Sequence, residues 1–168
     1  MSTDAMRIDA ATLFDAVRAD LGAHCTSAAE SFGTLVLELP VAEVLPVVSR
    51  LRDRFGFTIF LDVTAIDWPE RVPRFDVVWH FLCPQAVRRI RLKAQVGVED
   101  PAVPTLTPLY GSARFMEREA HDMYGIVFAG NGDLRPILLY EGFVGHPLRK
   151  DYAMEHEQPI VPYREGKA

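Results

Sequence analysis

The residues able to do chemistry crowd into one stretch, Ser112 to Asp151. Its first candidates are Glu117 and Glu119, a pair of carboxylates that could act as general acid and base. On a helix, positions two apart point about 200° from each other, so the pair cannot share one substrate atom. The histidines His24, His80, His121, His146 and His156 show no HxH or HExxH spacing, and Cys25 and Cys83 form no CxxC pair. Metal-ligand spacing is therefore missing. His156 sits between two glutamates and reads as a solvated side chain. His146 lies between Gly145 and Pro147, neighbours that fix the backbone. Its imidazole is either aimed at one partner group or incidental to a turn. Arg89, Arg91 and Lys93 alternate along one segment, which suits a solvated strand face or a docking surface for an acidic partner. No GxGxxG, P-loop or GxSxG motif occurs. The bare residues carry no enzyme mechanism.

The elements that position these residues follow from periodicity. Ser112 can cap a helix that Gly125 stops. Ala113, Met116, Ala120, Met123 and Tyr124 fall on its apolar face, with Arg114, Glu117, Arg118, His121 and Asp122 opposite. Glu119 projects at the edge of the apolar side, where a carboxylate needs a partner or loses its charge. Glu117 with His121 and Arg118 with Asp122 are spaced for pairing along the wet face. Upstream, the spacing predicts a helix over 10–23 capped by Asp9 and a strand over 34–39. A second helix over 44–55 tolerates Pro46 in its first turn and ends at Gly56. Strand-like alternation follows in Phe57, Ile59, Leu61 and Val63. After a Pro-containing loop over 67–74, two strands joined by a short link carry Phe75, Val77, Trp79 and Phe81, then Ile90, Leu92, Ala94 and Val96, on their apolar faces. Residues 98–108 read as an extended connection. The order predicts an α+β domain over 1–124, a mixed or antiparallel sheet with helices on one face.

Residues 125–168 lack periodicity, yet Ile137, Leu138, Leu139, Tyr140, Phe143, Leu148 and Tyr152 are too apolar for a solvated tail. They read as an extended arm that lies on a partner protein. Other bounds agree. A chain of 168 residues with net charge −5 is one domain and a poor match for nucleic acid. No run reaches the length of a membrane span, the start does not read as a secretory signal, and two lone cysteines fit a reducing cytoplasm.

Three motifs, EREAHDMYGIVF, GDLRPILL and GHPLRKDY, stand in that order in the stretch. They resemble the signature of the C subunit of the proton-translocating NADH:quinone oxidoreductase, respiratory complex I. Glu117, Arg118, Glu119, Asp122, Asp133, Arg135, His146, Pro147, Arg149, Lys150 and Asp151 match in register, and the likeness covers about residues 30 to 160. Asn131, Gly132, Pro136, Val144 and Ala153 depart from the pattern, as do Phe115 and Met116, which stand where a tryptophan is usual. The resemblance implies a cofactor-free subunit of the peripheral arm, of the free-standing type, on the cytoplasmic face of the cell membrane. Its partners would be the quinone-site D subunit and the iron–sulfur subunits, with FMN and the clusters held by partner subunits. The matched residues would then serve structure and partner contacts rather than catalysis, with Glu119 paired to Arg135 or Arg149. Two other readings remain. One is the equivalent subunit of a related membrane-bound hydrogenase or formate hydrogenlyase. The other is a small acid–base hydrolase using Glu119 and His146.

Overall fold

A computed structural model describes residues 10–156. Three helices, α1 (Leu13–Leu21), α2 (Val44–Phe55) and α3 (Ala113–Tyr124), accompany seven strands. Strands β1 (Ser27–Ser31), β2 (Thr34–Glu38), β3 (Ile59–Asp67), β4 (Phe75–Cys83) and β5 (Arg88–Val96) form one sheet in the order β1-β2-β5-β4-β3. Consecutive antiparallel pairing makes β3, β4 and β5 a meander, while β2 joins β5 in parallel. The sheet is mixed, and the fold is α+β as the periodicity predicts.

The inner sheet face and the helices share one core. Leu35, Leu37, Phe75, Val77, Trp79, Phe81, Ile90 and Leu92 from the sheet are buried with Leu13, Val17 and Leu21 of α1 and Val44, Val47, Val48, Leu51 and Phe55 of α2. Helix α2 ends at Gly56, whose φ of +73° is the left-handed conformation that favours glycine. The opposite sheet face carries the cationic side chains of β5. At one end of that face the β3–β4 loop folds over Asp76, which accepts from the Trp68 indole at 3.1 Å and pairs with Arg71.

Four local features differ from the sequence reading. First, β1 has no apolar alternation, since all five of its residues are exposed. It forms because the two-residue loop Phe32–Gly33, with φ of +51° and +72°, turns the chain back onto β2. Second, the buried phase of β3 runs through Phe60, Val63, Ala65 and Asp67, not Ile59 and Leu61. A register irregularity between Phe60 and Asp62 shifts it. Third, residues 98–108 are not wholly irregular. β6 (Ala102–Pro104) pairs in parallel with β7 (Val127–Ala129). Ile126 and Phe128 are buried in the core, so the packed body runs past Gly125. Fourth, α1 begins after Thr12, and the predicted cap, Asp9, lies outside the described residues.

Behind α3, Tyr110 ties three parts of the core together. Its ring packs against Phe60 and Phe81 at centroid distances of 5.6 and 5.5 Å, and its hydroxyl donates to the Phe57 carbonyl at 2.6 Å. Burial pushes its pKa up to about 12, so the phenol stays a donor at neutral pH. Tyr110→Phe keeps the ring but deprives that carbonyl of its donor. Chemical denaturation should show a loss of about 1–2 kcal/mol with an unchanged m-value.

Candidate functional site

The predicted site residues converge on the polar side and C-terminal end of α3, but their bonds differ from those expected. The face of α3 turned inward carries Ala113, Glu117 and Ala120, and Asp122, on the opposite side of the helix, is buried as well. Glu117 has no solvent exposure at all. It accepts from the Thr105 hydroxyl at 2.6 Å, the Leu106 amide at 2.7 Å and the Asn131 side-chain amide at 2.9 Å. Burial raises its pKa and these three donors oppose the rise. Asn131, one of the departures from the family pattern, is thus a structural donor. Glu119, the carboxylate expected at the apolar edge, is exposed and pairs with neither Arg135 nor Arg149. The helix is rotated so that its inner stripe passes through 113, 117 and 120, because the β6 segment supplies donors for a carboxylate there.

Arg118 and Asp122, one turn apart, grip the same piece of later chain instead of each other. Arg118 donates to the carbonyls of Arg135 and Pro136, each at 2.7 Å. Asp122 Oδ2 accepts from the amides of Ile137, Leu138 and Leu139 at 2.8, 2.9 and 3.3 Å. Likewise His121 bonds the Ile126 carbonyl at 2.9 Å rather than Glu117. A buried carboxylate gains more from several amide donors than from one surface ion pair. Asp133 braces the start of this segment. Arg135, at 2.7 Å, and Arg114, at 3.2 Å, hold its carboxyl well below the usual range.

The GHPLRKD motif then closes the end of the helix. The last carbonyls of an α-helix have no partner within it. Here His146 Nδ1 meets the Asp122 carbonyl at 2.9 Å, the Leu148 amide the Met123 carbonyl at 3.1 Å, and Arg149 Nε the Tyr124 carbonyl at 2.7 Å. Because a carbonyl only accepts, Nδ1 carries the proton. Burial, then the nearby Arg149 and His121 charges, hold His146 below its ordinary pKa against the favourable carbonyl bond. Pro147 sits in the turn between these caps. Gly125, with φ of +75°, leaves room for them. A Cβ there would lie 2.4 Å from Arg149 and 2.5 Å from His146.

Beyond the helix, the Lys150 amide donates to Asp67 at 2.7 Å. Asp67 is held bidentately by Arg74 at 2.6 and 2.7 Å, and Arg74 also pairs with Asp151 at 2.7 Å. Arg74 and Arg149 flank the Phe75 ring, their guanidinium carbons 5.1 and 5.2 Å from its centroid. Asp67 and Arg74 were not singled out from the sequence. Two prolines near them in the loop and their distance from the motif hid the link.

The described part of the arm therefore folds onto its own domain through main-chain bonds. Leu134 packs against the core and Leu139 and Phe143 stay half-buried, while other apolar side chains turn outward, with Leu138 60% and Val144 69% exposed, and with Ile137, Tyr140 and Leu148 also exposed. Chemically, this arrangement holds a segment in place. Among the described residues no group of three His, Cys, Asp or Glu is set to hold a metal. His121 and His146 sit edge to face at 6.2 Å with their Nδ1 atoms committed to carbonyls, while Glu119 faces solvent. The acid–base pair of the hydrolase reading is not assembled.

Asp122→Ala should release the segment without unfolding the sheet. Losing bonds to a charged acceptor is worth about 2 kcal/mol, so amide exchange at residues 137–139 should speed up about thirtyfold, while exchange in β4 and β5 stays unchanged. Arg74 depresses the pKa of both Asp67 and Asp151. A depressed carboxylate stabilises the fold above its unfolded value, about 3.9, and that stabilisation is lost as pH falls through the folded value. Asp67→Asn, which breaks a buried pair, should cost roughly 3 kcal/mol at neutral pH. The gap to the unmodified chain should close as thermal unfolding is repeated at falling pH below about 4.

The model of the family "Respiratory-chain NADH dehydrogenase, 30 Kd subunit" matches residues 37–158. The chain is 46% identical over 148 residues to the C subunit of NADH-quinone oxidoreductase from Rhodopseudomonas palustris, spanning 87% of this chain and 74% of that one. It is 47% identical over 133 residues to the protein of that name from Agrobacterium fabrum, spanning 78% of this chain and 66% of that one. Among solved structures, the trypsin-resistant fragment (1–134) of Nqo5 superposes with a TM-score of 0.64 at 31% identity, covering 77% of this chain and all of the fragment. A chain of the membrane-bound sulfane sulfur reductase, an archaeal respiratory membrane complex, shares the fold at TM-score 0.73 and 21% identity, covering 84% and 85%. With the ERE, GDLR and GHPLRKD motifs bonded to one another around α3, and with the family match running from the end of β2 through the described arm, this chain belongs to the family of the C subunit, or 30 kDa subunit, of respiratory NADH-quinone oxidoreductase.

Proposed function

We propose that this chain is a scaffolding subunit in the peripheral arm of a proton-translocating NADH:quinone oxidoreductase. Residues 131–156 are its contact surface for the quinone-site D subunit and the iron–sulfur subunits. The observation that carries this reading is the division of labour in that segment. Its main chain is spent on Arg118, Asp122 and the end of α3, whereas Leu138, Val144 and Met154 are presented to solvent. A group of exposed apolar side chains on an ordered support is the signature of an interface. In this reading the chain holds no cofactor, and FMN and the iron–sulfur clusters belong to its partners. It attaches at the cytoplasmic face of the membrane through those partners. No described helix is long and apolar enough to cross a membrane.

The equivalent role in a related hydrogenase or formate hydrogenlyase is the second reading. Identities of 46% and 47% to NADH-quinone oxidoreductase subunits favour the first. Affinity purification of the tagged chain from gently solubilised membranes tests both. Co-purifying iron–sulfur and quinone-site subunits with NADH oxidation support the first, the same partners with hydrogen or formate activity support the second, and a lone chain sinks both. Leu138→Asp/Val144→Asp should leave the thermal unfolding of the isolated chain unchanged within about 0.5 kcal/mol, as exposed substitutions do. In membranes, NADH:quinone activity should fall in step with the amount of assembled complex on a native gel.

A further inference from the structure

The outer face of the sheet is not used by the arm or by any helix of the core. Along it, β5 presents Arg89, Arg91 and Lys93 on alternate residues. Lys93 has a carboxylate at 4.0 Å, Glu38 on the parallel neighbour. Arg89 and Arg91 have no ion-pair partner among the described residues, and Arg91 Nε is buried without a hydrogen-bond acceptor. Arg91 stands directly across from His80 on β4, and His80 across from Asp62 on β3. Burial first, then Arg91, and further Arg89, push the His80 pKa down, while Asp62 opposes them. The imidazole therefore adds no positive charge at neutral pH. What remains is two unneutralised guanidinium groups on an open, rigid face of a chain whose net charge is −5.

We infer that this face is a second docking surface, on which Arg89 and Arg91 receive two carboxylates of an acidic segment from a neighbouring protein. The spacing sets the partner's chemistry. Alternate residues on one strand face lie about 6.6 Å apart, which matches Asp or Glu on alternate positions of an extended segment or one turn apart on a helix. Guanidinium is the group suited to bidentate carboxylate binding at a partly desolvated site. Anionic lipid is a poorer match. Recognition of a lipid surface uses about four to eight clustered cations, and the acidic body of this chain opposes approach to such a surface. This surface is separate from the arm.

The test uses the membrane complex containing the full chain, with a photo-crosslinking amino acid in place of Gln95, which is exposed on the same face as the ridge. A second preparation carries the crosslinker in place of Leu138 on the arm. The Gln95 site should crosslink to a peptide of another subunit that holds at least two Asp or Glu residues. Arg89→Glu/Arg91→Glu should lower that crosslink about tenfold while the Leu138 crosslink persists, as reversal of a local charge contact does. A Gln95 position that crosslinks to nothing, to lipid, or to a peptide whose yield ignores the reversal overturns the inference. Loss of the Leu138 crosslink in unreversed protein would instead count against the arm as a contact surface. If the reversed chain fails to assemble, R89Q/R91Q is read by the same two crosslinks and decides.

Discussion

A helix that ends inside a protein leaves carbonyls that must be bonded, and most of this structure's C-terminal half answers that need at α3. The carbonyls of Asp122, Met123 and Tyr124 are met by His146, Leu148 and Arg149. Caps usually come from the residues that follow a helix at once. Here Gly125 turns the chain away into β7, and the caps arrive more than twenty residues later. The intervening segment is thereby closed into a loop that starts and finishes on the same helix. Its order follows from that closure and from the backbone bonds of Arg118 and Asp122, without regular structure of its own.

Carboxylates do the remaining organising, and each does so by collecting several donors at once. Glu117 joins the β6 connection to Asn131, Asp122 holds three successive amides, and Asp67 holds Arg74 and the Lys150 amide together. Each sits where solvent is excluded, so each is costly unless satisfied and specific once it is. The placement also explains why pairing rules for exposed helices misjudged α3. Those rules weigh i,i+4 ion pairs worth a few tenths of a kcal/mol, and multiple bonds from distant backbone to a buried acid outweigh them.

What could be read from the sequence divides along the same line. Helix α2 and strands β4 and β5 were legible in full because local periodicity alone places their buried faces. Strand β1 was not, since its residues are uniformly exposed and its turn begins with Phe32 rather than asparagine or glycine. The short β6–β7 pair was hidden because its two halves lie on either side of α3 and neither is long enough to show a period. At the site, the motif residues from Glu117 to Asp151 gather around α3, but residue type did not reveal what they touch. The bonds of Arg118, Asp122 and His146 end on main-chain atoms, and a backbone carbonyl or amide leaves no trace in residue type. The same reasoning misplaced Glu119, whose position was inferred from helical phase alone.

Because the arm is gripped by its main chain from residue 135 to 139, the fold makes few demands on the outward-facing side chains at 136, 137 and 138. Pro136 illustrates the tolerance: only its carbonyl is used, so the missing N–H costs nothing. At 137, 138 and 139 the one exclusion is proline, since each of those amides is a donor to Asp122. The side chains that face outward are thus free to drift with whatever they meet, while the anchor that displays them stays constant. Such a segment works as a label holder, in which the message can be rewritten without disturbing the frame.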